Sequence, residues 1–75
     1  MNNKLGNSDL VIRLNRMREL GLNLEIDTSR SGYRIQNEFG RYLSPNLKTV
    51  NQVINSLDLM YNAIREYQEL IKKGD

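Results

Sequence analysis

The sequence predicts an α+β fold with the order α-β-β-β-α, a small three-stranded antiparallel sheet packed on a long C-terminal helix and a short N-terminal helix. Two observations predict this class. Apolar residues recur at helical spacing towards both ends of the chain, whereas the middle alternates apolar and polar residues as half-buried strands do. With 75 residues, the chain has the length of one domain, so we expect residues 1–75 to form a single unit.

The first helix is predicted over residues 8–20. Its main apolar residues follow an i, i+4, i+7 spacing and share one face: Leu10, Leu14 and Met17. Asp9 falls in the first turn, where the helix dipole favours a negative charge, and Gly21 is placed to cap the C-terminus. The polar residues 1–7 are expected to be frayed.

Three short strands are predicted in the middle of the chain, at residues 22–26, 33–36 and 41–44. Residues 27–32 have the composition of a turn. Residues 37–40 are predicted to form a type I turn with Gly40 in the left-handed conformation. Pro45 is expected to end the sheet, because it has no N–H to donate.

The second helix is predicted over residues 49–72. Thr49 and Gln52 have the spacing of a capping box. The apolar residues then continue at alternating spacings of three and four: Val50, Val53, Leu57, Met60, Ile64, Tyr67 and Ile71. Leu57 lies at the centre of this stripe and is expected to be fully buried.

Composition argues against catalysis. The sequence has no Cys and no His, which removes thiolate metal ligands, the commonest metal-binding side chain and the commonest general base. Glu66 and Glu69 share a helix face, and this pattern is typical of a solvated charged surface. Ser29 and Ser31 have no base nearby in sequence that could activate them. We therefore expect no enzyme activity, no metal and no cofactor.

Charge and hydropathy indicate a soluble protein of modest net charge. The formal charge is +2, too small to indicate nucleic-acid binding by itself. Residues 1–48 carry eight basic and five acidic side chains, whereas residues 49–75 carry three and four. The absence of Cys fits a reducing compartment, no apolar run reaches the roughly 18 residues of a membrane span, and the N-terminus lacks a signal-like apolar stretch. A cytoplasmic protein without a membrane contact is expected.

Arginine-bearing surfaces are the candidate partner-binding sites. Strand alternation directs Arg34 and Gln36 away from the helices, and Arg41 on the neighbouring strand joins them. Such a set can read bases or grip an acidic protein surface, or it can simply keep a wet sheet face soluble. Arg13 and Arg16 on the first helix form a second basic face, which can equally be an ordinary solvated surface.

The second helix carries more apolar surface than one small sheet requires. Leu59, Ala63 and Leu70 lie on a line beside the main stripe, and Tyr67 suits the rim of an interface. These side chains can pack against the first helix of the same chain or against another molecule. Because the second helix is much longer than the first, a homodimer along its C-terminal half is expected.

Two nucleic-acid-binding families resemble parts of this pattern. The element order is similar to that of the double-stranded-RNA-binding domain, although residues 44–52 hold one lysine where that family has a Lys-rich cluster. The segment from Gly32 to Ser44, followed by a Thr-capped helix, looks like the three-stranded DNA-reading domains of phage integrases and AP2-type regulators. That resemblance implies Arg34 and Arg41 as the matching base readers.

The small size, the Asn-rich charged composition and the single hairpin–helix unit resemble small accessory proteins of phages and mobile elements in Gram-positive bacteria, anti-CRISPR proteins included. This resemblance implies a non-catalytic inhibitor or modulator that contacts a host or defence protein. The alternative function is a nucleic-acid-binding module that uses the Arg-bearing sheet face. A structural or assembly subunit is a third reading.

Overall fold

The computed structural model describes residues 8–74 and consists of two helices and one β-hairpin. Helix α1 spans Ser8–Glu19, strand β1 Glu25–Ser29, strand β2 Gly32–Gln36 and helix α2 Val50–Gly74. The two strands are antiparallel and form a two-stranded sheet. The α+β class is confirmed, and the prediction for residues 1–7 lies outside the described residues.

Helix α1 ends at a glycine cap, as its sequence predicts. The N–H of Leu22 donates to the carbonyl of Met17 at 2.9 Å, and the N–H of Gly21 donates to the carbonyl of Arg18 at 2.9 Å. This pair of bonds is the Schellman motif, which satisfies carbonyls that the helix itself leaves free. The cap reverses the chain and directs it into the hairpin.

The first strand lies further along the chain than predicted. It begins at Glu25 rather than at residue 22, because Leu22 is used in the helix cap and remains exposed instead of facing the helices. The predicted turn of residues 27–32 shortens to Arg30 and Ser31. Residues 27–29, which precede this short turn, belong to strand β1 and pair with β2, with Asp27 opposite Arg34. Hydrogen bonding between the two strands thus outweighs the turn-like composition of residues 27–29.

Gly32 stands where the hairpin meets the segment that leads to α2. Its φ of 136° lies in a region that L-residues rarely adopt, and a Cβ there would overlap the carbonyl oxygen of Leu47. That carbonyl accepts the N–H of Tyr33 at 2.7 Å, and the N–H of Leu47 donates back to Tyr33 at 2.6 Å. The missing side chain of Gly32 therefore allows the close approach on which this pair of bonds depends.

The predicted third strand at residues 41–44 is wrong. The segment contacts β2 only at separate positions and forms no ladder. Tyr42 makes an isolated bridge with Gln36, and the N–H of Leu43 donates to the carbonyl of Ile35 at 2.7 Å. The outer edge of β2 is therefore covered by an irregular segment, and the sheet has two strands.

Pro45 gives the physical reason for this difference. Continued in the same register, the segment would place Pro45 opposite Tyr33, where a third strand would have to donate an N–H that proline lacks. The pairing shifts by two residues, so that Leu47 takes the position opposite Tyr33. The N–H of Ile35 donates a hydrogen bond to the side-chain Oγ of Ser44 at 2.9 Å.

Helix α2 begins as predicted and supplies the main apolar face of the core. Thr49 Oγ1 accepts the N–H of Gln52 at 3.1 Å, while Gln52 Oε1 accepts the N–H of Lys48 at 2.7 Å, one residue before the position that a capping box uses. The buried core gathers side chains from both helices, β2 and the loop before β1: Leu10, Met17, Leu24, Tyr33, Ile35, Val53 and Leu57. Leu57 is completely buried, as expected.

We expect Leu57→Ala to lower the free energy of unfolding by about 2–5 kcal/mol, because it removes a fully buried side chain and leaves a cavity. Leu59→Ala is the matched control, since Leu59 is 70% exposed two residues further along the same helix. At the same dilute protein concentration, the control should change stability by no more than about 0.5 kcal/mol. Denaturant titration of both variants tests this difference, and equal losses would contradict the described core.

We expect Gly32→Ala to be far more destabilising than Gly40→Ala. Both glycines have positive φ, 136° and 83°, so both substitutions introduce backbone strain. Only at Gly32 does the new Cβ also meet the carbonyl of Leu47, whereas Gly40 has open space around it. The thermal midpoints of the two variants measure the difference, and similar midpoints would show that the joint between β2 and Leu47 is unimportant.

Candidate interaction surfaces

The outward side of the hairpin forms the first candidate surface, called here the hairpin face. It comprises four strand residues and one residue of the following segment: Glu25, Asp27, Arg34, Gln36 and Tyr42. The register pairs Asp27 with Arg34 and Glu25 with Gln36. Their neighbours Tyr33 and Ile35 point to the opposite side and are buried in the core.

The side chains of the hairpin face are bonded to one another. The hydroxyl of Tyr42 donates to Asp27 Oδ2 at 2.8 Å, and the guanidinium of Arg34 lies 4.7 Å from the centre of the Tyr42 ring. Gln36 Nε2 donates to Glu25 Oε1 at 3.1 Å. Arg34 and Gln36 thus lie on one face, as predicted, but each has a partner within the chain.

These contacts give the hairpin face a mixed charge. Asp27 and Glu25 contribute two carboxylates against the single guanidinium of Arg34. Arg41 is exposed on the irregular segment beyond the strands, so the structure does not align it with Arg34 on a neighbouring strand. The sequence did not reveal Asp27 as a member because its composition placed it in a turn.

The carboxylate of Asp27 raises the pKa of Tyr42 above its ordinary value of 10.0. The hydrogen bond to that carboxylate is the largest cause, followed by the repulsion between its charge and a phenolate. Arg34 acts in the opposite direction through its own positive charge. The neutral phenol is therefore the form that the hairpin face holds.

Beside this face, residues 37–41 form a tight turn that exposes Phe39. This side chain is 84% exposed, yet hydrogen bonds hold the backbone around it. Asn37 Oδ1 accepts the N–H groups of both Phe39 and Arg41 at 2.9 Å, and the N–H of Gly40 donates to the carbonyl of Asn37 at 3.0 Å. The predicted turn with Gly40 in the left-handed region is confirmed. The sequence analysis does not include Phe39 among the candidate site residues, because its exposure is seen only in the structure.

The predicted basic face of the first helix is partly occupied by contacts with α2. Arg13 Nε donates to Asp58 Oδ1 at 3.1 Å, and the Arg13 side chain is 25% exposed. The guanidinium of Arg16 lies 5.4 Å from the centre of the Tyr61 ring, while Arg65 lies 5.8 Å from the same ring. Arg13 and Arg16 therefore join the two helices instead of lying beside Arg34 and Gln36.

Exposed apolar side chains along α2 form the second candidate surface, called here the distal stripe: Leu59, Ala63, Tyr67, Leu70 and Ile71. Leu59, Tyr67 and Leu70 are 70%, 65% and 64% exposed. Of the two kinds of cover that the sequence leaves open for Leu59, Ala63 and Leu70, packing against α1 of the same chain does not occur, since these side chains remain exposed. Every side chain from residue 65 to residue 73 is exposed.

In comparisons with known proteins, no family model, curated protein or solved structure is significantly similar to this chain. The two surfaces are therefore interpreted from their geometry alone. Neither helix among residues 8–74 is long and apolar enough to cross a membrane. The same residues include no group of three or more side chains of the types that commonly hold a metal ion.

We expect Tyr42 to ionise above pH 10.0 in the folded protein, and Asp27→Asn to lower this pKa by removing the carboxylate. Because folding raises the pKa, the stabilising contact is fully present below the unfolded-state value and is lost as the pH rises through the folded-state value. Ultraviolet absorbance measures tyrosine ionisation, and subtracting the titration curve of the Tyr42→Phe variant gives the pKa of Tyr42. The control Asp9→Asn should leave the pKa of Tyr42 unchanged. An unchanged pKa of Tyr42 in Asp27→Asn would contradict the contact between the two side chains.

Proposed function

We propose that this chain is a small non-catalytic binding protein that inhibits or modulates a host or defence protein through direct contact, in the manner of phage and mobile-element accessory proteins. On this proposal it acts in the cytoplasm of a bacterial cell. The observation that carries the protein–protein contact is Phe39, an almost fully exposed aromatic side chain on a firmly bonded turn beside the hairpin face.

An exposed aromatic residue on a rigid turn suits the centre of an interface. Aromatic side chains are enriched among the few residues that supply most of the binding energy. The two bonds to Asn37 Oδ1 hold the backbone around Phe39 before any partner arrives. Such preorganisation reduces the conformational entropy that binding would otherwise cost. Phe39 is therefore the proposed anchor.

The polar residues around Phe39 suit the rim of the same interface. Arg34, Gln36 and Arg41 supply donors and charge, and Glu38 adds a carboxylate within the turn. A rim of polar side chains around an apolar anchor is the usual arrangement in protein interfaces. Arg13 and Arg16, in contrast, are engaged with α2, so we assign them to the joint between the helices.

A nucleic-acid interface receives less support from this geometry. The hairpin face holds two carboxylates near Arg34, and phosphate binding depends on an excess of basic side chains. The DNA-reading arrangement also requires a third strand to align Arg41 with Arg34, and Pro45 prevents that ladder. Nucleic-acid binding is therefore an alternative outcome of the test rather than the proposal.

The test is capture of a partner from a bacterial lysate by the tagged chain, with and without nuclease, followed by affinity measurement with the purified partner. We expect capture to survive nuclease, and Phe39→Ala to weaken binding by roughly 30-fold or more, as loss of an interface anchor does. Arg34→Ala and Arg41→Ala should weaken binding less.

Ile12→Ala is the control, because Ile12 is 47% exposed on α1, outside both the hairpin face and the Phe39 turn. This variant should bind as the original chain does. Thermal unfolding of each variant verifies the fold. Nuclease-sensitive capture would favour the nucleic-acid alternative, and full affinity in a folded Phe39→Ala variant would move the interface away from this turn.

A further inference from the structure

We propose that the free edge of β1 binds an extended, basic segment of a partner protein, which adds a third strand to the sheet. A β-hairpin has two outer edges, and only one of them is covered within residues 8–74. The edge of β2 is closed by the segment that leads to α2. Tyr33 exchanges two hydrogen bonds with Leu47, and Ile35 donates to Ser44. Strand β1 has β2 as its one neighbour in the described sheet.

The backbone groups of Ile26 and Thr28 point to this free edge. In an antiparallel pair, successive residues of a strand direct their N–H and C=O groups to opposite sides. Because Tyr33 bonds away from β1, the next residue, Arg34, bonds towards β1 and to its opposite residue Asp27. The residues on either side of Asp27 therefore direct two donors and two acceptors outwards, where no described residue bonds to them.

The edge is regular enough to accept another strand. Its five residues, Glu25–Ser29, pair with β2 in an uninterrupted register, so the strand has no bulge. It contains no Pro and no Lys, two residues that commonly protect an exposed edge from further pairing. An edge of this kind can bind an extended segment through main-chain hydrogen bonds, while the side chains beside it select the sequence of that segment.

Two acidic side chains on the outward side of β1 select a basic segment. Asp27 uses Oδ2 to accept from the Tyr42 hydroxyl, and Glu25 uses Oε1 to accept from Gln36. The second oxygen of each carboxylate can accept from a side chain directly opposite on an added strand. Opposite charges at such cross-strand positions are stabilising. Lysine or arginine at alternate positions of the added strand therefore suits this edge.

The same carboxylates disfavour a second copy of β1 as the added strand. An antiparallel pair that bonds Ile26 of each copy to Thr28 of the other places Asp27 directly opposite its counterpart. Like charges directly opposite each other are destabilising. The segment that fits has basic side chains on its outward side and apolar side chains on the side of Ile26, which packs partly against the core.

This inference rests on the proposed function only in taking the added strand from a partner protein. Its evidence lies on β1, and Phe39 is not part of it. The two proposals can therefore fail separately.

A synthetic peptide of alternating lysine and valine tests the edge directly by amide hydrogen exchange. With saturating peptide, the N–H groups of Ile26 and Thr28 should exchange at least about tenfold more slowly, because hydrogen bonding protects an amide from exchange. The N–H of Asp27, which is already bonded within the hairpin, should change less. Phe39→Ala should bind the peptide as the original chain does. No binding, or binding without protection at Ile26 and Thr28, would overturn the proposal.

N-methylation of the peptide distinguishes strand addition from charge attraction alone. Directly opposite side chains of an antiparallel pair share a face, so the valines lie opposite Ile26 and Thr28 and their N–H groups donate to β1. Methylating the valine nitrogens should weaken binding at least about tenfold. Methylating the lysine nitrogens, which face away from β1, should have little effect. Equal losses from the two methylations would contradict strand addition.

A peptide of alternating glutamate and valine tests the selection of basic segments. It should bind at least about tenfold more weakly than the lysine peptide, because its carboxylates lie opposite Glu25 and Asp27. Equal binding of the two peptides would overturn the basic class of the partner segment.

Thr28→Pro tests the edge in the protein itself. It removes an outward N–H, and proline is tolerated in an edge strand where the N–H faces solvent. We expect its affinity for the lysine peptide to fall at least about tenfold. Thr28→Ala keeps the N–H and should bind as the original chain does. Thermal unfolding verifies both folds, and the methylated peptides test the same bonds without altering the chain. Full affinity in a folded Thr28→Pro variant would overturn the proposal.

Discussion

The packing of α1 and the hairpin on the first half of α2 is the interaction on which the rest of the structure depends. Val53 and Leu57 present a buried face to both elements, and Ile35 brings the hairpin onto it. The chain has no Cys, so no disulfide supports this arrangement. In a domain of this size the apolar core is small, and each fully buried side chain therefore carries a large share of the stability.

Helix α2 has a part that packs in the core and a part that is exposed. Its first half is consumed by the core and fixes the position of β2, which in turn holds the hairpin face and the Phe39 turn. Beyond Ile64 the helix extends past α1, and its apolar side chains are exposed. The proposed partner-binding turn at Phe39 lies outside this exposed part of α2, and substitutions at Phe39 and Leu70 can therefore be interpreted separately.

Sequence reasoning found part of each surface. Alternation placed Arg34 and Gln36 on one outward face, and helical spacing grouped Leu59, Ala63 and Leu70 on one line. It missed Tyr42 and Asp27, because their contact depends on which residues lie opposite across the hairpin. It also placed Arg41 on a third strand, although the same reasoning recognised Pro45 as the residue that stops the sheet. The consequence of that proline, a shift of two residues to Leu47, required the positions of both segments.

The sequence by itself determined the class of fold, the two helices with their caps, the hairpin and the burial of Leu57. These features follow from local spacing and from single residues, such as Gly21 and Thr49, whose hydrogen bonds lie within a few positions along the chain. Only the tertiary structure decided the number of strands, the pairing of Arg13 with Asp58 and the exposure of the distal stripe. Each of these depends on contacts between segments far apart in sequence and on the relative lengths of α1 and α2, which local periodicity does not encode.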